Sequence, residues 1–283
     1  LTPMFAVLSR LALALCLALP FGAVVHAQVT ASLVALKSGF PADARELVVG
    51  LRLEHEPHWH TYWIAPGTGY PTSLTWELPP GWSAGPIRWP APARVYDTAK
   101  NLAGNGYEAV VTLPVVLTPP ADLAPGQPVT LRAKAEWLMC KDVCIPGEAE
   151  VTLTLTPTAP GAMTTANVTD SAAGEHLLAT LEALPAPPPE TWQVAATWAA
   201  ADRSRVRLAF TAADGRTPVP ADPWFFAEDA AIAYEAPQTR EPGAPAHAYA
   251  ATLVVSDYAE PKPERLRGVL TFADGPAYAL DLP

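Results

Sequence analysis

The chain has 283 residues, half of them hydrophobic, with 33 prolines, 16% charged residues and a formal net charge of -10. The length exceeds what one average domain needs and points to two, and an acidic chain without basic runs argues against nucleic acid as a partner. So much proline disfavours long helices and central strands, because proline breaks the one and cannot donate to the ladder of the other; what remains is short strands joined by firm turns.

The N-terminus comes first in chain order. Arg10 precedes an apolar run over 11–19, and Val25-His26-Ala27 fits the small-x-small pattern of a cleavage site. A secretory signal peptide over residues 1–27 is expected, because the apolar run is shorter than the roughly 20 residues of a membrane span. Leu1-Thr2-Pro3 before Met4 reads as an upstream extension of the reading frame. Cleavage would remove Cys16, whose neighbour Leu15 is too large to precede a lipidated cysteine. Cys140 and Cys144 would then be the cysteines of an exported chain, in a compartment where disulfides persist.

The first domain is expected over 28–157. Strands are predicted at 29–36, 46–53, 60–64, 73–77, 109–117, 129–138 and 149–155. Pro79-Pro80-Gly81, Asn105-Gly106 and Pro125-Gly126 are expected to turn the chain. Such a run of short strands suggests an immunoglobulin-like β-sandwich. Residues 158–189 read as a linker: an Ala, Thr, Pro and Gly-rich stretch, a short amphipathic helix at 175–184, and a stiff polyproline segment at 185–189. The second domain, 190–283, contains no cysteine and has strand candidates at 192–198, 205–211, 230–236, 247–256, 265–273 and 277–282. The fold class is therefore all-β, two immunoglobulin-like sandwiches joined by a Pro-rich linker with a short helix. Both halves end in a closing hairpin. The first connection is expected to be long and to carry the cysteines, the second to be a short Asp274-Gly275 turn.

Cys140 and Cys144 lie between two strands with three residues separating them, close enough to bond without long-range rearrangement. Two readings stand. A structural staple would gain little, about 2 kcal/mol by loop entropy, in a domain large enough to have its own core. A redox pair suits the short loop, because an exposed local disulfide is the more easily exchanged kind. Lys141 favours a thiolate and Asp142 opposes it. Metal binding is the rival chemistry: Cys140, Cys144, His58 and His60 could offer thiolate and imidazole to copper or zinc. On a strand His58 and His60 would share a face, while as loop residues they would only meet solvent.

The stretch Trp137-Leu-Met-Cys-Lys-Asp-Val-Cys-Ile-Pro146 resembles the redox loop of the N-terminal periplasmic domain of DsbD-type thiol:disulfide interchange proteins. It is more similar to the ScsB-like branch, linked to suppression of copper sensitivity. His60-Thr-Tyr-Trp63, Pro71-Thr-Ser, the segment 81–90 and Asn105-Gly-Tyr-Glu108 carry the same resemblance, which covers most of 30–156. It implies a periplasmic electron carrier without a cofactor, a component of a protein-disulfide reductase. Its partners would be a membrane electron-transfer protein of the DsbD/ScsB type and thioredoxin-fold proteins. Cys144 would form the mixed disulfide and Cys140 resolve it. Tyr62 and the segment 100–107 would take the places of the aromatic shield and the cap loop, with Trp63, Asn105, Tyr107 and Trp137 as supporting residues. Core packing is the other reading of Tyr62, Trp63 and Trp137. The resembling proteins continue into membrane and thioredoxin-like domains, whereas this sequence stops at Pro283, so a stand-alone carrier or one piece of a split system is expected. The alternatives are a non-enzymatic copper-binding or copper-tolerance module and a scaffold with an inert disulfide.

Overall fold

A computed structural model describes residues 28–161, 169–259, 262 and 264–283. The signal-peptide segment lies outside them, as do residues 162–168 of the expected linker. Eighteen strands and one helix follow in chain order among the described residues.

The first half contains β1 (Val29–Ala35), β2 (Gly39–Pro41), β3 (Leu47–His55), β4 (His60–Tyr62), β5 (Ser73–Glu77) and β6 (Ser83–Ile87). It continues with β7 (Ala93–Tyr96), β8 (Leu102–Glu108), β9 (Val110–Thr118), β10 (Val129–Cys140) and β11 (Cys144–Thr158). One sheet has the order β1-β3-β9-β6; the other runs β2-β11-β10-β4-β8-β7, with β5 also on β10. Alternation sends Leu51, Leu53, Val111 and Leu113 from the first sheet against Ala133, Ala135, Trp137 and Val151 from the second. Helix α1 (Ala172–Glu182) starts at Ser171, whose hydroxyl accepts from the Gly174 amide at 3.0 Å. It folds back on the outer face of the first sheet. Leu177 is fully buried there, and Gly50 leaves room for it: a Cβ at Gly50 would stand 3.1 Å from Leu177 Cδ1.

The second half contains β12 (Trp192–Trp198), β13 (Arg205–Ala212), β14 (Trp224–Ala227) and β15 (Thr239–Arg240). Then come β16 (Ala248–Val254), β17 (Leu266–Thr271) and β18 (Tyr278–Leu282). Sheets β12-β13-β16-β15 and β14-β17-β18 enclose Phe210, stacked on Trp192 at 4.3 Å and on Tyr278 at 5.8 Å. The two halves touch. Phe226 meets Trp63 edge-on at 6.3 Å, and the Arg94 guanidinium lies 4.5 Å over the Trp224 ring.

The all-β, immunoglobulin-like class expected from the pattern is what the chain adopts. Several expected elements differ. Residues 230–236 are turns with an isolated bridge at Ile232, and the strand is Trp224–Ala227 instead. Four consecutive residues, three of them aromatic, suit a half-buried strand better than an alanine-rich stretch without alternation. Asn105-Gly106 is not a turn but the middle of β8. Gly106 is needed where β4 crosses closely, since a Cβ there would fall 2.1 Å from the Thr61 carbonyl oxygen. The closing hairpins are the reverse of expectation. β10 and β11 pair as far as Cys140↔Cys144, leaving 141–143 as the connection, whereas 272–277 separates β17 from β18.

Candidate functional site

The β10–β11 hairpin carries the cysteines at its tip, directly across the ladder from one another. They form a disulfide with S–S 1.98 Å and Cα–Cα 4.2 Å. β10 lies inside the sheet, between β11 and β4, so Cys140 is 3% exposed. Cys144 opens β11 beyond the reach of β4 and is exposed, flanked by Val143 at 65% and Ile145 at 37% exposure. One sulfur is thus buried and the other presented on an apolar rim.

The period of two along the strands sorts the surrounding residues by face. Trp63, Tyr107, Trp137 and Met139 point into the core between the sheets. Tyr62, Val95, Leu138 and Cys140 form a separate cluster on the outer face, with Ala103 packed against it. Of the aromatics expected as a shield, only Tyr62 reaches the sulfurs, its hydroxyl lying 3.8 Å from Cys144 Sγ. Burial raises the Tyr62 phenol pKa, against a smaller opposing effect of the Thr68 hydroxyl, so it stays protonated and able to donate.

Trp63 and Trp137 are core residues. The Trp137 indole lies over Gly147, where a Cβ would fall 2.4 Å from Nε1. Tyr107 is buried, its phenol pushed up by burial, and donates to the Pro90 carbonyl at 2.8 Å. Asn105 ties a loop to β8. Its amide donates to the Pro66 carbonyl at 2.8 Å, its side-chain amide to Ala65 at 3.1 Å, and its carbonyl accepts from the Trp63 amide at 3.1 Å. That loop lies on the redox face: a Cβ at Gly69 would fall 2.6 Å from Leu138 Cδ2 and 3.1 Å from the Tyr62 ring.

The expected cap at 100–107 is mostly the strand β8. The contact with the cysteine turn comes from the bend before it. Asp97 accepts from the Asn101 amide and side chain, each at 2.8 Å, which holds its carboxyl below the usual carboxylate range. The next residue, Thr98, donates to Asp142 from its amide at 3.2 Å and from its hydroxyl. Asp142 therefore clasps the cap to the hairpin tip. The 97–101 spacing, an aspartate four residues before an asparagine, was the available signal in the sequence. A second element missed by pattern is Tyr234 of the second half, whose ring lies against Gly67 of the loop beside Tyr62.

The alternative metal set is not assembled. His58 is exposed in a turn with φ 71°, not on a strand sharing a face with His60, which is fully buried. Among the described residues no three His, Cys, Asp or Glu side chains are grouped so as to hold a metal ion.

The class the structure defines is a β-sandwich with a cross-strand disulfide at a hairpin tip, one cysteine buried and one exposed. Residues 30–156 match the family model described as "Thiol:disulfide interchange protein DsbD, N-terminal". The fold is similar to the N-terminal periplasmic domain of ScsB from Proteus mirabilis. Identity is 17%, the TM-score 0.57, and the likeness covers 89% of this chain and 90% of that one. The YadV chaperone also aligns, over 90% of this chain and 98% of that one, at 9% identity and a TM-score of 0.23, too low to carry an argument. Comparison with curated protein sequences gives no match. Among the described residues no helix is long and apolar enough to cross a membrane.

Proposed function

We propose that this chain is an exported thiol:disulfide interchange module. It passes electrons in the periplasm from a membrane electron-transfer protein of the DsbD/ScsB type to thioredoxin-fold proteins. Residues 28–157 would be the redox domain and 190–283 a second domain braced against it. The observation that carries this reading is the unequal exposure of the two sulfurs: Cys140 is 3% exposed and Cys144 is open to a visitor.

In the dithiol form the Cys144 thiolate attacks a sulfur of the partner's disulfide. The Cys144–partner bond forms, and the partner's other sulfur leaves as a thiolate that takes a proton. Cys140, a cross-strand neighbour, then loses its proton and attacks Cys144 Sγ. The Cys140–Cys144 bond closes, the mixed disulfide breaks, and the second partner sulfur departs to be protonated. Two electrons have moved to the partner, and this chain is left as the disulfide. Tyr62 would donate to Cys144 when it is a thiolate or a leaving group. Val143 and Ile145 would give the partner an apolar seat.

Cys140→Ala should accumulate a covalent adduct with an oxidised thioredoxin-fold protein, visible by non-reducing mass analysis, because nothing resolves it. Cys144→Ala should give none. Equal adducts from both variants would refute the division of roles, and none from either would refute the exchange.

A further inference from the structure

His60 has no task in the exchange just described, yet it stands beside it. In the β4–β10 ladder it is the direct partner of Cys140. Directly opposed residues of an antiparallel pair carry their Cβ atoms on one face, about 4.5–5.5 Å apart. The His60 ring meets the Tyr62 ring edge-on at 5.3 Å, and Tyr62 reaches the other sulfur. His60 is fully buried, and among the described residues neither Nδ1 nor Nε2 has a hydrogen-bond partner. Buried polar atoms are seldom left so, and each unpaired one calls for an explanation.

The neighbouring polar groups do not supply one. His55, on β3, has both ring nitrogens engaged, with the Ala109 carbonyl at 3.0 Å and the Thr61 hydroxyl at 2.9 Å. Glu108, opposite His60 on β8, is exposed. A neutral His60 with both nitrogens unpartnered lacks an acceptor for its N–H and a donor for its lone pair, and the lone pair calls for a proton donor on that buried face. A disulfide has none to give, but a thiol does.

We propose that His60 is the hydrogen-bonding partner of the Cys140 thiol in the reduced protein. The proposal rests on the reading that the pair opens and closes. On reduction two electrons and two protons arrive, the S–S bond breaks and each sulfur becomes a thiol. Cys140 Sγ, released from Cys144, turns its S–H to a ring nitrogen of His60, which accepts while the other nitrogen carries the ring's proton. Burial, with a smaller contribution from His55, pushes the His60 pKa down to about 4, so the ring is neutral and has a lone pair to offer at periplasmic pH. The bond exists in the dithiol state alone. It therefore favours that state and makes the pair a weaker reductant than the same hairpin without His60.

The test is the redox equilibrium of the full chain in glutathione buffers at neutral pH, read by thiol alkylation and mass. His60→Leu should need an about tenfold higher ratio of squared reduced to oxidised glutathione for half-reduction, about 30 mV for a two-electron couple. His60→Gln, which keeps an acceptor, should stay within about threefold of the parent, the rescue a purely steric role would not produce. An unshifted His60→Leu, or one that reduces more easily, overturns the proposal. Should the leucine variant fail to fold, the unsubstituted chain decides: one 15N-labelled His60 ring nitrogen should shift as an acceptor on reduction, and an unchanged ring overturns the proposal. A pair that stays oxidised at every ratio defeats the exchange reading and this inference with it. A pair that reduces normally while His60→Leu is unshifted defeats the inference alone.

Discussion

Tyr62 holds its hydroxyl 3.8 Å from Cys144 Sγ while most of its ring is packed in the sheet, and burial keeps that hydroxyl protonated. A donor so placed stabilises a thiolate more than a thiol. Tyr62→Phe should therefore raise the Cys144 thiol pKa by about one unit, measured as the pH dependence of alkylation of the reduced protein; an unchanged profile would assign Tyr62 to packing alone. The buried histidines make a second prediction. His60 takes its proton only near pH 4 when folded, against 6.5 for an ordinary histidine, and His55 is also lowered, in its case chiefly by burial. Between those values the unfolded chain binds more protons than the folded one, so stability should fall as pH drops from about 6.5 to about 4. Urea midpoints of the oxidised protein at pH 7 and pH 5 measure this. His60→Leu should shrink the difference, leaving the parts due to His55 and to His176, which burial also lowers.

At the scale of elements, the hairpin depends on a glycine opposite an indole. A Cβ at Gly147 would fall 2.4 Å from Trp137 Nε1 and 2.6 Å from Cε2. Trp137 is in the core and cannot swing away, so Gly147→Ala should destabilise by about 1–3 kcal/mol, read by thermal or urea unfolding. Asp142 is the clasp for the bend at 97–101. Asp142→Ala should speed reduction of the disulfide by a small phosphine several-fold without moving the unfolding midpoint by more than about 0.5 kcal/mol, as for an exposed polar contact; an unchanged rate would mean the bend does not guard the pair. Much of this region was legible beforehand. The Cys140-to-Cys144 spacing and the strands on either side follow from alternation and motif, while Tyr62 as a neighbour was implied by the resemblance to DsbD-type proteins alone. What alternation could not supply was β8, where Asn105 and Gly106 read as a turn because their strand conformation is enforced by close approach to β4 rather than by side-chain propensity. Nor could it find the Thr98–Asp142 contact, which joins residues 44 positions apart through exposed polar side chains.

For the molecule as a whole, the second half is more than an appendage. Phe226 and Val269 share a core cluster with Trp63 and Trp137. Tyr234 lies against Gly67, in the loop that covers Tyr62 and Leu138. The strand that carries Phe226 was misplaced in the sequence reading, so the contact between halves was invisible there. Tyr234→Ala should loosen that loop and raise the reduction rate of the disulfide a few-fold, whereas Tyr234→Phe, which keeps the ring, should not; equal rates in all three proteins would separate the second half from the chemistry. Above these details stands the claim that the pair gives its electrons to another protein. Mixing the fully reduced chain with an equimolar oxidised thioredoxin-fold protein, quenching with acid and weighing the alkylated products measures that transfer in one step. The account predicts that Cys140–Cys144 disulfide appears in step with partner dithiol, one for one. A chain that stays reduced beside a partner that stays oxidised, in a mixture left to reach equilibrium with a partner of higher potential, would contradict it.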